Sequence, residues 1–134
     1  MRYLLDTCVL SEILGGTPSA SLVDWLEGRD EREFHISVLT VGQLHGSVAG
    51  LSDARRRTRL HAWVDAELRE RFRGRILDVD MAVVRAWGGM KPETSALPVT
   101  SGLIAATAAA HHLVVVSRDL PDLAASGVEV LDPF

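Results

Sequence analysis

Cysteine is nearly absent from this chain, which excludes a fold held together by disulfide bonds. Its 134 residues include one cysteine, Cys8, so no disulfide can form within the chain. We interpret Cys8 as a small core residue, and this cysteine usage is typical of a reducing compartment. The length is sufficient for one domain with its own apolar core but not for two, so residues 1–134 are expected to form a single domain.

Long apolar runs are absent as well. The longest candidate, 103–116, contains His111 and His112 and is shorter than the roughly 20 residues that cross a bilayer. Residues 1–10 are apolar but are interrupted by Asp6, and they lack the positively charged segment that begins a signal peptide. The sequence therefore predicts a soluble cytoplasmic protein with no membrane partner.

An overall excess of positive charge is also missing. The formal net charge is −4, whereas proteins that bind nucleic acids through overall charge are usually basic. The exception is residues 53–75, where eight arginines and four acidic residues give a net charge of +4 and leave −8 to the rest of the chain. This patch has two interpretations: a surface that meets a polyanion, or a solvated helix face on which opposite charges pair.

The chain does contain a regular alternation of short apolar runs and longer helical patterns. Strands are predicted at 2–6, 33–37, 76–79, 113–117 and 128–131, and helices at 19–28, 40–49, 52–72, 80–87, 101–111 and 121–125. Such alternation favours parallel strands joined by helical crossovers. Fully apolar strands favour a sheet that is covered on both faces. The predicted fold class is α/β.

Local signals refine these elements. Thr40 and Gln43 have the spacing of a capping box at a helix N-terminus, and Asp80 is predicted to cap the helix that follows it. His35 occupies an alternate position of a strand and is expected to be exposed. The tryptophans fall on apolar helix faces and are interpreted as core or interface residues: Trp25, Trp63 and Trp87.

Acidic and neutral polar residues occur where the predicted strands end. In an open parallel sheet, ligands bind beyond the carboxyl ends of the strands, so residues from distant segments are expected to meet there. The candidates are Asp6, Gln43, Ser101, Asp119 and Asp122. Neighbouring carboxylates repel each other, and a hard cation such as Mg²⁺ relieves that repulsion while binding phosphate oxygens. Because a bound cation also activates water, the pattern indicates phosphodiester hydrolysis.

The same acids have structural interpretations. Asp6 can cap the turn or helix after it, Asp119 can form an Asx turn, and Asp122 is a favourable charge in a first helical turn. On this alternative the chain is an α/β domain whose terminal acids are caps and turns. A Ser-His-Asp hydrolase is not indicated, because no Gly-x-Ser-x-Gly sequence is present.

The histidines and Arg118 leave further alternatives. His111 and His112 are adjacent, so on a helix they point in different directions, and we interpret them as helix-end residues favoured by the dipole. His45 follows Gln43 by two residues and could border the predicted site. Arg118 could hold a phosphate or pair with an acidic residue.

Five segments, in order along nearly the whole chain, carry recognisable motifs. They are YLLDTCVLSE at 3–12, ISVLTVGQL at 36–44, LPVTSGLIAATA at 97–108, VVVSRDLPDL at 114–123 and GVEVLDPF at 127–134. In the first, a strand ends in Asp6-Thr7 and an apolar pair follows. Taken together, the segments resemble PIN-domain toxins of the VapC and FitB-like family.

The resemblance implies a fold, an activity and partners. The fold is a five-stranded parallel sheet with helices on both faces, and the activity is that of an endoribonuclease that uses Mg²⁺ or Mn²⁺ to cleave RNA. The partners are a second copy of the chain, in a homodimer or a larger toxin–antitoxin assembly, and a cognate antitoxin. We expect an amphipathic antitoxin helix to bind in a groove formed by the helices at 19–28 and 40–49.

The resemblance also assigns residues. It implies catalytic roles for Asp6, Gln43, Ser101, Asp119 and Asp122, cation binding by Asp6, Asp119 and Asp122, and substrate binding by Thr7 and Arg118. The family carries Glu where this chain has Gln43 and Asp where it has Ser101. Since ligand charge sets much of the affinity for a divalent cation, these two differences predict a weakened metal site. The alternative function is a PIN-like protein that binds its antitoxin but has lost cleavage.

Overall fold

The fold is built on one parallel sheet. The computed structural model describes residues 1–90, 97–118, 123, 124 and 126–134. Its strands are β1 (Tyr3–Leu5), β2 (Phe34–Ser37), β3 (Ile76–Leu77), β4 (Val114–Val116) and β5 (Val130–Leu131). They lie in the order β3-β2-β1-β4-β5, and every pairing is parallel. This confirms the predicted five-stranded parallel sheet, although each strand is shorter than its apolar run.

Helices connect the strands and cover the sheet. They are α1 (Thr7–Leu14), α2 (Ala20–Glu27), α3 (Val38–Ala49), α4 (Ala54–Trp63), α5 (Arg69–Arg71), α6 (Met81–Gly88) and α7 (Val99–His111). A π-helical segment (Val64–Leu68) joins α4 to α5, and a 3-10 turn (Glu31–Glu33) precedes β2. None of the described helices is long and apolar enough to cross a membrane.

Alternate residues of the strands pack into two separate cores. On one face, Tyr3 and Leu5 of β1 pack with Val9 of α1 and Leu44 of α3. On the other face, Leu4 packs with residues of α7, including Ile104. Burying a side chain of this size stabilises the fold by roughly 1.5–3 kcal/mol, so helices on both faces are required. The prediction of a sheet covered on both sides is confirmed.

The helix predicted at 52–72 is confirmed as an almost continuous one. Helix α4, the π-helical segment and α5 follow each other without a break from Ala54 to Arg71. Val64 and Leu68 of this helix are buried in the core. Gly74 lies just beyond the helix with a φ of 75°, a left-handed conformation that glycine adopts without steric cost.

The start of α3 differs from the prediction. The helix begins at Val38, and its N-cap is Ser37, whose hydroxyl accepts a hydrogen bond from the backbone N–H of Leu39 at 3.0 Å. Thr40 is therefore inside the helix, where it is fully buried, and the predicted capping box of Thr40 with Gln43 is wrong. The reason is that Ser37, directly after β2, already satisfies the first orphan donors.

The predicted exposure of His35 is also wrong. His35 is only 8% exposed, because β2 lies between β1 and β3 and both faces of the sheet are covered. Burial lowers the pKa of the imidazole, and the nearby backbone carbonyl of Glu33, 3.3 Å from Nδ1, opposes that effect. Alternate residues of this strand therefore face two different cores, one on each side of the sheet, rather than a core and solvent.

The ends of the remaining helices agree with the predictions in part. Asp80 caps α6 as predicted, accepting from the N–H of Val83 at 3.0 Å. Helix α7 begins at Val99, so Ser101 lies within its first turn instead of opening it. Helix α1 was not among the predicted helices, but it is the helix that Asp6 was expected to cap in its structural interpretation. The helix predicted at 121–125 falls largely outside the described residues.

Candidate active site at the carboxyl edge of the sheet

Asp6 lies one residue beyond the end of β1, and hydrogen-bond donors to both of its carboxylate oxygens fix its side chain. Oδ1 accepts from the backbone N–H of Thr7 at 2.8 Å, and Oδ2 accepts from the hydroxyl of Ser117 at 2.8 Å. The backbone N–H of Asp6 also donates to the carbonyl of Val116 at 3.0 Å. Asp6 is thus the N-cap of α1, as its structural interpretation predicted, and the cap fixes the carboxylate at the edge where a ligand would bind.

Ser117 is a site residue that sequence analysis missed. It is fully buried one residue beyond β4, and its Oγ lies 3.6 Å from Sγ of Cys8. Leu5 is paired with Val116, so the next residues on both strands, Asp6 and Ser117, meet at the same edge. The signal was available, since a polar residue directly after a run of three valines marks the carboxyl end of a buried strand.

Thr7, Thr40 and Gln43 form a chain of hydrogen bonds between α1 and α3. The hydroxyls of Thr7 and Thr40 are 3.0 Å apart, and Thr7 donates to Oε1 of Gln43. A hydroxyl has a single hydrogen to donate, so Thr40 must be the donor to Thr7. These hydrogen bonds orient the amide of Gln43. Its oxygen faces Thr7, so its NH₂ group lies on the side away from Thr7.

Ser101 approaches this edge from the opposite face of the sheet. Helix α7 packs on the face of Leu4, whereas α1 and α3 pack on the face of Leu5. Since α7 leads into the start of β4, its first turn with Ser101 lies toward the carboxyl ends of the strands. Ser101 is half-buried there.

The other predicted acids lie outside the described residues. Asp119 and Asp122 both fall within 119–122, of which the structure describes nothing. Within the described ranges, no group of three or more His, Cys, Asp or Glu side chains could hold a metal ion. Of the predicted catalytic residues, the structure therefore describes one carboxylate, Asp6, with the neutral side chains of Gln43 and Ser101.

Arg118 pairs with an acidic residue, which is one of its two predicted alternatives. Its guanidinium donates to Oε1 of Glu12 at 3.0 Å and lies 4.1 Å from the ring centroid of Phe134. The other oxygen of Glu12, Oε2, is buried and has no hydrogen-bond partner among the described residues. A guanidinium has five N–H donors, so this pairing does not use up the capacity of Arg118.

His45 faces away from this site. Its Nε2 lies 2.8 Å from Oδ1 of Asp65 and its Nδ1 lies 2.7 Å from Nδ1 of His61. Both partners belong to the long helix, the continuous run of α4, the π-helical segment and α5 from Ala54 to Arg71. On α3, positions 43 and 45 point in different directions, so Gln43 faces α1 while His45 faces α4. The alternative that His45 borders the site is therefore wrong.

An apolar groove of about 360 Å³ lies between α1, α2 and the long helix. Its apolar lining includes Leu10, Ile13, Leu26, Trp63 and Phe72. Charged residues also line it: Glu27, Arg29, Glu31 and Arg71. This groove involves α2, one of the two helices predicted to form the antitoxin groove, but its other walls come from α1 and the long helix rather than from α3.

Two of the three tryptophans are partly buried and pack against the core, in line with the predicted core or interface role. Trp25 stacks on Phe34 at 5.6 Å and meets the edge of Tyr3 at 5.0 Å, and Trp63 packs against the same core. Trp87 is 42% exposed, so of the two predicted roles it fits an interface residue better than a core residue.

Comparison with known proteins identifies relatives along the whole chain. Residues 3–121 match the PIN domain. Toxin FitB of Neisseria gonorrhoeae is 33% identical over 98% of this chain and 97% of its own, and VapC ribonuclease Y4jK of Sinorhizobium fredii is 27% identical over 98% and 96%. The crystal structure of FitAcB from Neisseria gonorrhoeae superposes with a TM-score of 0.91 at 32% identity, covering 98% of each chain. The chain therefore belongs to the PIN domain family, and within it is similar to toxins of the VapC and FitB kind.

Proposed function

We propose that this protein is the toxin of a toxin–antitoxin pair and acts in the cytoplasm as an endoribonuclease dependent on Mg²⁺ or Mn²⁺. The observation that carries the proposal is the position of Asp6, which is held at the carboxyl edge of the sheet by donors from β4 and α1. In parallel sheets this edge is where ligands bind. The relatives named as a toxin and a ribonuclease support the same assignment.

The donor chemistry of the described residues fits a hard cation. Asp6 offers carboxylate oxygens and Ser101 offers a hydroxyl, while Ser117, Thr7 and Gln43 form hydrogen bonds that hold this edge in place. Mg²⁺ and Mn²⁺ prefer oxygen ligands of this kind, and neither thiolate nor imidazole is needed. We propose that Asp119 and Asp122 supply the further negative charge.

Each residue then has a distinct role. A bound divalent cation would polarise the phosphodiester and lower the pKa of a water molecule. Asp6 holds the cation, and Ser117 keeps the Asp6 carboxylate in one orientation. The NH₂ group of Gln43 donates to a phosphate oxygen, because its amide oxygen already accepts from Thr7. Ser101 offers a neutral oxygen that orders water.

The groove between α1, α2 and the long helix is the proposed binding site for the antitoxin. Its apolar wall suits one face of an amphipathic helix, and acidic and basic residues line the same groove, including Glu27 and Arg29, where they could fix the direction in which such a helix lies. A homodimer of this chain completes the proposed assembly.

The test of the nuclease is cleavage of a structured RNA by the pure protein with and without Mn²⁺. Cleavage should require Mn²⁺, and Asp6→Asn should reduce it by at least about a hundredfold, because the cation loses a charged ligand. Asp24→Asn is the matched control, since Asp24 is exposed on α2 and the change in charge is the same. Cleavage that persists in Asp6→Asn would reject the assignment.

A second candidate function is a PIN protein that binds its antitoxin without cleaving RNA. The hydrogen bond from Thr7 to the amide oxygen of Gln43 favours this candidate. A glutamate at this position would still have its second carboxylate oxygen to bind a cation, whereas the other half of the Gln43 amide is an NH₂ group, which only donates. On this candidate, the double substitution Gln43→Glu and Ser101→Asp should create Mn²⁺ binding, measured by calorimetry, and cleavage. If the parent binds Mn²⁺ as tightly as the double variant, this candidate is wrong.

A further inference from the structure

Arginines of the long helix and the segment after it differ in how they are engaged. Arg71 pairs with Glu31 at 2.7 Å and Arg73 pairs with Glu70 at 3.3 Å. Arg57 donates to the backbone carbonyl of Leu51 at 2.7 Å. These arginines are neutralised by acids or serve a structural hydrogen bond, so they account for the solvated, charge-paired interpretation of this segment.

Three other arginines of α4 take no part in the ion pairs among the described residues: Arg55, Arg56 and Arg59. All three are exposed. The nearest acid in sequence, Asp53, accepts instead from the backbone N–H groups of Arg55 and Arg56, at 3.0 and 3.2 Å. At 3.6 residues per turn the three positions span an arc of about 100°, so they form one arginine face at the start of α4.

Helix stability does not explain this arginine face. Cations are unfavourable near a helix N-terminus, where the macrodipole is positive. Arg55 and Arg59 are also four residues apart, a spacing at which like charges repel. Residues that destabilise their own helix without a compensating local interaction are expected at functional positions. A bound ligand of negative charge would stabilise these arginines.

The position of the face fits a long polyanion. Helix α3 begins at the carboxyl edge of the sheet, runs for 12 residues and so extends about 18 Å before a short loop leads into α4. The arginine face therefore lies about one helix length from the edge that holds Asp6, so a nucleic acid must extend well beyond the cleaved bond to contact it. The rest of the chain carries a net negative charge, so this face is where a polyanion meets the least repulsion.

We infer that Arg55, Arg56 and Arg59 bind the phosphodiester backbone of RNA that flanks the cleaved bond. The inference rests on the proposed nuclease function, because it supposes that RNA is the polyanion bound. Contacts of this kind fix the position of a nucleic acid without reading its sequence. They release counterions, so each one makes the affinity more dependent on salt.

The test measures RNA binding in EDTA, where cleavage does not occur. The probe is a fluorescein-labelled RNA stem-loop with a stem of about ten base pairs, followed by anisotropy between 50 and 200 mM KCl. Arg55→Gln with Arg59→Gln is compared with Arg71→Gln and Arg73→Gln, which removes the same charge from paired arginines. Arg55→Lys with Arg59→Lys keeps the charge and should bind like the parent.

The two double variants should differ clearly. Losing two phosphate contacts should reduce the slope of log K against log salt by about 1.4–1.8 and weaken binding by roughly 25- to 60-fold at 0.1 M salt, while the paired-arginine control changes little. Equal effects in both variants, or no effect, would overturn the inference. Duplex DNA of the same sequence is titrated in parallel. If Arg55→Gln with Arg59→Gln weakens binding of that DNA but not of the RNA, the inference is also overturned, because the polyanion would then be DNA. Thermal unfolding of the Gln variant should occur no lower than in the parent, since a repulsion is removed.

The outcome is distinguishable from failure of the nuclease. A parent that cleaves RNA in Mn²⁺ but binds it independently of Arg55 and Arg59 contradicts only the arginine face. A parent that shows the arginine-dependent salt slope but no cleavage contradicts only the nuclease.

Discussion

The hydroxyl of Ser117 donates a 2.8 Å hydrogen bond to Oδ2 of Asp6, joining two residues that are 111 positions apart in the chain. Each residue is the first after a strand, and those strands, β1 and β4, are paired in parallel. The orientation of the Asp6 carboxylate therefore depends on the correct pairing of the two central strands. A neutral, buried hydroxyl is in this way a positioning residue for the proposed site.

Replacement of Ser117 by alanine tests that role. A hydrogen bond to a charged group contributes about 1.5–3 kcal/mol, so we expect Ser117→Ala to lower the free energy of unfolding in urea by about that amount. We also expect cleavage of RNA to fall by about tenfold through kcat. Ser117→Thr keeps the hydroxyl and should retain most of the activity. Full activity in a destabilised alanine variant would show that Ser117 is only structural.

Thr40 should act through Thr7 on Gln43. Thr40→Val keeps the shape of the side chain but removes the donor to Thr7, so the hydroxyl of Thr7 is no longer restricted to the one orientation that reaches Gln43. We expect a loss of about 1 kcal/mol in stability and a rise in KM for RNA, since the orientation of the Gln43 amide is relaxed. Thr40→Ser retains the donor and is the control. An unchanged KM in both variants would contradict the proposed chain of hydrogen bonds.

Most of the fold could be predicted from the sequence because its strands are short and apolar and are separated by segments with helical periodicity. The valines of β4 and the alternation of elements were sufficient to predict a parallel sheet covered on both faces. Asp6 and Gln43 were predicted as site residues because polar groups after buried strands indicate ligand binding in such sheets. These features are local in sequence or follow from a general rule of topology.

The errors all concern tertiary context. His35 was predicted as exposed because alternation alone does not say whether the second face of a strand is solvated. The cap of α3 was assigned to Thr40 rather than Ser37 because only Thr40 is followed three residues later by Gln, whereas the position of Ser37 directly after β2 makes it the cap. Ser117 was missed because a buried serine has no local signature; its role appears only when β4 is placed beside β1.

Gly102 of α7 is in close contact with Trp87 of α6. A Cβ built on Gly102 would lie 3.1 Å from Nε1 of Trp87, which is tighter than an ordinary contact. Because the indole is 42% exposed, it can move outward, and alanine gains about 1 kcal/mol of helix propensity over glycine. We expect Gly102→Ala to change stability by less than about 1 kcal/mol and to shift the Trp87 fluorescence to longer wavelength. The shift should be absent in Gly46→Ala, where the added Cβ meets nothing; a loss of several kcal/mol in Gly102→Ala would mean that the indole is held in place.

Burial of His35 predicts how stability depends on pH. Burial holds the pKa of this imidazole below its usual 6.5, so in the window below 6.5 the unfolded chain takes up a proton that the folded chain does not. The contribution of His35 is therefore complete above pH 6.5 and is lost as the pH falls from 6.5 toward the folded-state pKa. We expect the unfolding temperature to decrease between pH 7.5 and 5.5, and the decrease to be smaller in His35→Leu, which cannot titrate. His112→Asn is the control, because His112 is exposed with a φ of 56°, a conformation that asparagine tolerates, and it should keep the pH dependence of the parent. A pH dependence in His35→Leu as steep as in the parent would show that another group is responsible.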